Sequence, residues 1–291
     1  MTATAAPAAR PRTRGGRTRR KFLRRPPAVI GLAGVVIAIA VAVFAPWIAP
    51  YDPDTVQPAT ILSAPFTGGH LLGTDDLGRD ILSQIVFGAR ASLASGVLAT
   101  LLGLLVAVPI GLLAGYYRGW RDSAISRVID VVLSFPFLVI AVGLAAILGP
   151  SLLNEVIALA VAQVPVFVRV VRGEVLGLRE LEYVEAAVVN GAPDRVVLVR
   201  HILPNTLNPL VVQATVAIPT AIIGASVLSF LGLGEQPPTP SWGTMLSDAQ
   251  QYIAQAPWFA VFPGLAIALT TLSFNLFGDG LRDVLDVRMR S

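Results

Sequence analysis

Six windows of this 291-residue chain are apolar enough, and nearly long enough or longer, to cross a bilayer. They lie at residues 28–48, 92–116, 130–150, 152–169, 207–231 and 257–278. A hydrocarbon core asks for about 20 such residues per helix. Within it every backbone N–H and C=O needs a partner, so runs of this length become helices. The fourth window is the shortest, with only residues 156–168 free of charge, and it serves if Glu155 sits at one interface while Arg169 snorkels to the other. The chain is 54% hydrophobic and 14% charged, where soluble domains carry about 25% charged residues. The expected class is an all-α membrane protein with six transmembrane helices.

Basic residues set the expected orientation. Residues 1–27 hold nine Lys or Arg and no acid. If that tail is cytoplasmic and the helices alternate, 20 of the 22 basic residues fall inside, and only Arg79 and Arg90 fall outside. Both termini are then cytoplasmic, and so is the polar segment 170–206. The tail beside a membrane helix reads as an orientation signal drawn to anionic lipid rather than a nucleic-acid contact. Thr18 to Leu23 resembles a twin-arginine export signal. The apolar run after it is too long for a signal-peptide core of about 7–15 residues and ends at Pro46, Trp47 and Tyr51, so an uncleaved first helix is expected.

Along the chain this divides into a basic disordered tail (1–27), a first helix (28–48), an outside loop (49–91), a core of five helices (92–278) and a C-terminal tail (279–291). In the outside loop, Thr74 is placed to cap a short helix with acidic residues in its first turn. Ile81, Leu82, Ile85 and Val86 would share one face of it, packed over the bundle or lying on the membrane. The small residues Gly103, Gly111, Gly115, Gly143 and Gly224 suit close helix packing in lipid. Pro109, Pro136, Pro165, Pro219 and Pro263 are possible kinks. Trp242 and Trp258 suit an interface.

Absences narrow the function. Lys21 is the only lysine, so no phosphate-binding Gly-Lys-Ser/Thr loop exists and any ATP must be hydrolysed by another chain. His70 and His201 fall on opposite sides of the membrane, and there is no cysteine, so no thiolate or shared histidine metal site is expected. Secondary transporters and proton pumps usually carry buried charge along their path. Here Asp130 and Glu155 stand at expected helix ends and read as interfacial. Gln163, Asn208, Gln213 and Asn275 remain as uncharged polar groups for a passage.

The 170–206 segment reads as a helix-turn-helix. Arg179 to Asn190 is rich in helix formers and Gly191 suits a C-terminal cap. Pro193 suits the first turn of a second helix, with Asp194 near its positive end. That helix is expected to stop at Leu203, before Pro204. Ala186 and Ala187 allow close approach to a partner groove, and Glu185 offers a charge. His201 is read as a structural hydrogen-bonding residue near the helix end.

The order Glu185, Ala186, Ala187, then Gly191, then His201, Ile202, Leu203, Pro204 and Asn205 resembles the EAA loop of binding-protein-dependent ABC importer permeases. The ending resembles the dipeptide/oligopeptide/nickel branch, although His201 stands where the common pattern has Ile. Residues 70–80 and 235–243 resemble the same branch. The resemblance implies a type I ABC importer permease fold with a cytoplasmic coupling helix-turn-helix. It implies a bacterial plasma (inner) membrane location and a non-catalytic subunit that forms half of a passage for peptides. Implied partners are a homologous permease in a heterodimer, two ATPase subunits or a fused ATPase, and an extracytoplasmic solute-binding protein. ATP and Mg would be bound by the partner subunits, with no cofactor in this chain and no nucleic acid. Glu185, Ala186, Ala187, Gly191, Pro193, His201, Leu203 and Pro204 would be the ATPase-coupling residues. The same machine carrying nickel or another small solute, and a self-sufficient secondary transporter, are the alternatives.

Overall fold

The computed structural model describes residues 22–285. Residues 1–21 of the expected basic tail, and residues 286–291 of the expected C-terminal tail, lie outside them. The described chain is helical: α1 (Pro26–Val43), α2 (Ile81–Tyr116), α3 (Trp120–Leu133), α4 (Phe137–Leu148), α5 (Leu152–Leu178), α6 (Glu182–Val189), α7 (Asp194–Phe230), α8 (Trp242–Ala249) and α9 (Pro257–Leu285). A further turn, Ala45–Ile48, follows α1.

Five helices, α1, α2, α5, α7 and α9, are long and apolar enough to cross a membrane. The expected count of six is reached when α3 and α4 together pass as one span. Those two are bent by 88° at a break over residues 134–136. The expected continuous helix over 130–150 is therefore not present. Pro136 is the cause: it disfavours helical backbone at Phe135 and takes the N-cap position of α4.

Other boundaries also differ from expectation. The second helix begins at Ile81 rather than residue 92, and its cap is Asp80, whose carboxylate accepts the Ser83 N–H at 2.8 Å. Thr74 instead sits buried in the preceding loop, where its hydroxyl donates to the Thr60 carbonyl and accepts from the Ser63 N–H. The α9 helix continues to Leu285, past the expected end at residue 278.

Helix α2 packs most extensively on α5, and the reason is a stripe of small residues. Gly103, Ala107, Gly111 and Gly115 recur every four residues on one face of α2. A Cβ on Gly111 would lie 2.5 Å from that of Val171, and one on Gly115 would lie 2.6 Å from that of Val175. Without a hydrophobic drive between helices in lipid, such close backbone approach supplies the association. Gly224 meets Leu159 in the same way, but Gly143 faces open space and packs against nothing.

One end of the bundle carries a tightly bonded cap from residues 49–80 and α8. His70 Nδ1 lies 2.9 Å from Asp80 Oδ1, both buried, and Asp80 also accepts the Ser83 hydroxyl. Buried Asp75 accepts from Arg79 Nε and from Gln84 Nε2. Ile81 and Val86 are buried, and Ile81 and Ile85 pack into the core at this end of the bundle. Trp242, expected at an interface, is buried in this core with its Nε1–H donating to the Ile85 carbonyl at 3.0 Å. Burial pushes the carboxyls of Asp76 and Asp248 upward. A neighbouring carboxylate acts in the same direction, Asp75 on Asp76 and Asp76 on Asp248.

Candidate coupling surface

At the opposite end from the cap, α2 and α5 finish beside a short elbow formed by α6 and the start of α7. The expected first helix over 179–190 is shorter than read: α5 runs to Leu178, Arg179 caps it, and α6 starts only at Glu182. Glu182 and Glu185 stand in its first turn, where the positive helix end favours them. Val184 is buried against Val171, Val175, Val197 and Ile202, and Ala187 packs on the same cluster. That anchoring side turns the rest of α6 outward.

The C-terminus of α6 closes in a Schellman arrangement. Gly191 N–H donates to the Val188 carbonyl at 2.9 Å, and Ala192 N–H donates to the Ala187 carbonyl at 3.1 Å. This geometry needs left-handed backbone at Gly191, whose φ is +80°. Pro193 then caps α7 in extended conformation. Asp194 accepts a hydrogen bond from the Tyr116 hydroxyl at 2.9 Å, and Arg179 donates to the Tyr116 carbonyl at 2.7 Å. The elbow is thereby tied to the end of α2.

Contrary to expectation, Pro204 does not stop the second helix, which runs from Asp194 to Phe230. The segment Val197–Ile202 widens into π-helix immediately before it. A proline within an α-helix loses a donor and its ring crowds the carbonyl four residues back, here that of Arg200. The wider turn absorbs that conflict. The His201 contribution is also different: its backbone carbonyl, not its ring, accepts from Asn205 Nδ2 at 2.7 Å and from the Tyr183 hydroxyl. Leu203 is half-buried, while Pro193 and Pro204 are exposed.

Glu185, Ala186, Val188 and Val189 are presented to the outside, with Val188 51% and Val189 86% exposed. Among the described residues the Glu185 carboxylate has no hydrogen-bond or ion-pair partner. Beside it opens a cleft of about 780 Å³, whose lining includes Tyr116, Arg118, Arg179, Glu180, Val184 and Glu185. Arg118 and Glu180 form an ion pair across it. Two adjacent exposed valines and an unpaired acid thus stand together beside this cleft.

A family model described as the binding-protein-dependent transport system inner membrane component matches residues 107–291, more than half of the chain. The chain belongs to this family. A second model, the N-terminal TM domain of oligopeptide transport permease C, matches residues 13–65 of this permease. It is 47% identical over 264 residues to the dipeptide transport system permease protein DppC of Alkalihalophilus pseudofirmus, covering 91% of this chain and 86% of that one. It is 46% identical over 272 residues to the glutathione transport system permease protein GsiD of Pectobacterium atrosepticum, covering 94% and 90%. Among solved structures, an inward facing conformation of the MetNI methionine ABC transporter matches with a TM-score of 0.58 and 20% identity. That match covers 70% of this permease and 97% of the other chain, and at that identity it speaks for the fold alone. The permease is thus a multi-pass inner membrane protein of the type I importer fold.

Two features of the helices that carry the elbow are not marked in the sequence. Glu155, expected at an interface, is 1% exposed. It accepts the Ser229 hydroxyl at 3.1 Å and packs so closely on Gly234 that a Cβ there would lie 2.0 Å from its carboxylate. Its hydrogen-bonding partners come from remote segments, which one-dimensional hydropathy does not register. Pro209, inside α7, was the other; it lies at the margin of an apolar window where a helix end and a kink look alike.

Proposed function

We propose that this permease forms half of the passage of an ATP-driven importer for dipeptides or short oligopeptides in a bacterial plasma membrane. The observation that carries the reading is the α6 elbow: a helix pinned by Val184, closed by Gly191, and offering Glu185, Ala186 and two exposed valines. In this reading both termini and the elbow are cytoplasmic, in keeping with the distribution of arginine. An ATPase receives α6 in a groove, with Ala186 and Ala187 permitting close approach. Glu185, Gly191, Pro193, His201, Leu203 and Pro204 hold the shape that makes this contact. Motion of the ATPase passes through the Tyr116–Asp194 contact and the continuous α7 into the bundle.

The chain itself performs no catalysis. ATP and Mg belong to two ATPase subunits or a fused ATPase, a homologous permease supplies the other half of the passage, and an extracytoplasmic solute-binding protein delivers the cargo. The peptide cargo follows the named relatives.

The test is reconstitution of the permease pair, ATPases and binding protein in liposomes. ATP-dependent uptake of labelled di- and tripeptides is expected. Glu185→Ala should reduce uptake at least tenfold while the permease pair and the ATPases still co-purify. Peptide uptake by this chain alone, driven by an ion gradient and indifferent to ATP, would overturn the reading.

A further inference from the structure

Halfway along α5 and α7 lies a cleft of about 200 Å³, lined by Phe137, Gln163, Phe167, Gln213, Ala217 and Thr220 among others. Three observations converge on it. First, Gln163 is only 5% exposed, and its Nε2 has no hydrogen-bond partner. Its Oε1 accepts the Thr100 hydroxyl at 3.4 Å. Gln213, facing the same cleft, also has no partner among the described residues. A polar atom as deeply buried as Gln163 Nε2 is costly to leave unpaired in a membrane interior. Such a cost persists where something else supplies the partner.

Second, the break over residues 134–136 ends at Phe137, on the rim of the cleft. Non-helical backbone at membrane depth is tolerated where it is covered by protein or borders a cavity. Third, both walls carry a buried proline at this level, Pro165 in α5 and Pro219 in α7. Each removes a helical hydrogen bond, so both walls are locally easier to bend. No charged residue lines the cleft.

We infer that this cleft is a subsite for the peptide backbone, in which the Gln163 and Gln213 side-chain amides bond the amide groups of the transported chain. The inference rests on the peptide-importer reading above and sharpens it. A primary amide carries both donors and an acceptor, as does a peptide unit. It recognises the one feature all peptides share and ignores side-chain charge. Phe137, Phe167 and Ala217 supply apolar walls that accept side chains without selecting them. Gln163 Nε2 is shut off from solvent as the helices now stand. Sliding of α5 against α7 at their two prolines opens the floor and presents it.

The experiment uses the full reconstituted importer and two probes, trialanine and its depsipeptide analogue, in which an ester replaces the central amide. The wild type is expected to favour trialanine at least tenfold. Gln163→Leu and Gln213→Leu, each assembled with all partners, should lower trialanine uptake about tenfold and bring the preference close to one. The binding protein is the same throughout, so a changed ratio reports the permease. Variants that keep wild-type uptake and preference overturn the subsite. Variants that no longer co-purify with the homologous permease overturn it as well, by making the cleft a subunit contact. A wild-type complex that carries neither probe but does carry another solute defeats the peptide-importer reading itself.

Discussion

Gly191 is the residue on which the elbow turns. Its φ of +80° closes both capping bonds of α6, and no atom lies within 4 Å of where a Cβ would go. The cost of Gly191→Ala is therefore conformational rather than steric, about 1–2 kcal/mol for left-handed backbone. Gly191→Asn, which tolerates that region better, should recover most of it. Thermal unfolding in detergent and peptide uptake should rank wild type, Asn and Ala in that order. Asp248 makes a separate prediction for the cap. Burial and Asp76 raise its carboxyl above the ordinary value of 3.8, so the folded state holds this proton more tightly than the unfolded chain does. The contribution to stability is complete at low pH and is lost as pH rises through the raised value. Asp248→Asn should therefore raise the unfolding midpoint at pH 7 and give no gain below pH 3.8.

Among the elements, α2 and α5 are held by a stripe of small residues with no room for a Cβ at Gly111 or Gly115. Gly111→Ala drives a methyl onto Val171 and should cost about 1–3 kcal/mol, seen as a lower unfolding midpoint, while Gly143→Ala, facing open space, should cost little. Helix identity was legible in the sequence because hydrocarbon imposes one solution on a long apolar run. Helix ends were less so. Asp80 and Thr74 are equally good caps in isolation, and only the buried network of Asp80 with His70 and Ser83 decides between them. Pro204 read as a stop because a strict α-helix cannot hold it there. The π-turn that accommodates it leaves no mark in composition. The break at residues 134–136 carried a signal in Pro136, but proline-kinked and proline-broken helices share that signal.

At the scale of the molecule, the outward face of α6 follows from its sequence because the anchors, Val184 and Ala187, alternate with the presented residues at helical spacing. The Tyr116–Asp194 tie, 78 residues apart in the chain, and the unpaired amide of Gln163 emerge only once the bundle is assembled. Removing the tie should therefore separate docking from transmission: Tyr116→Phe is expected to retain ATPase binding but to lower uptake severalfold per ATP hydrolysed, measured in the same liposomes. The 88° break has one more consequence. With only 12 residues, α4 extends about 18 Å, well short of a hydrocarbon thickness of about 30 Å, and residues 134–136 are exposed on the isolated chain. A copy made without companions thus keeps an exposed bend at residues 134–136 and a helix too short to cross by itself. Its lifetime in the cell should be set by how soon another subunit arrives, so that supply of the partner governs the abundance of this chain after synthesis.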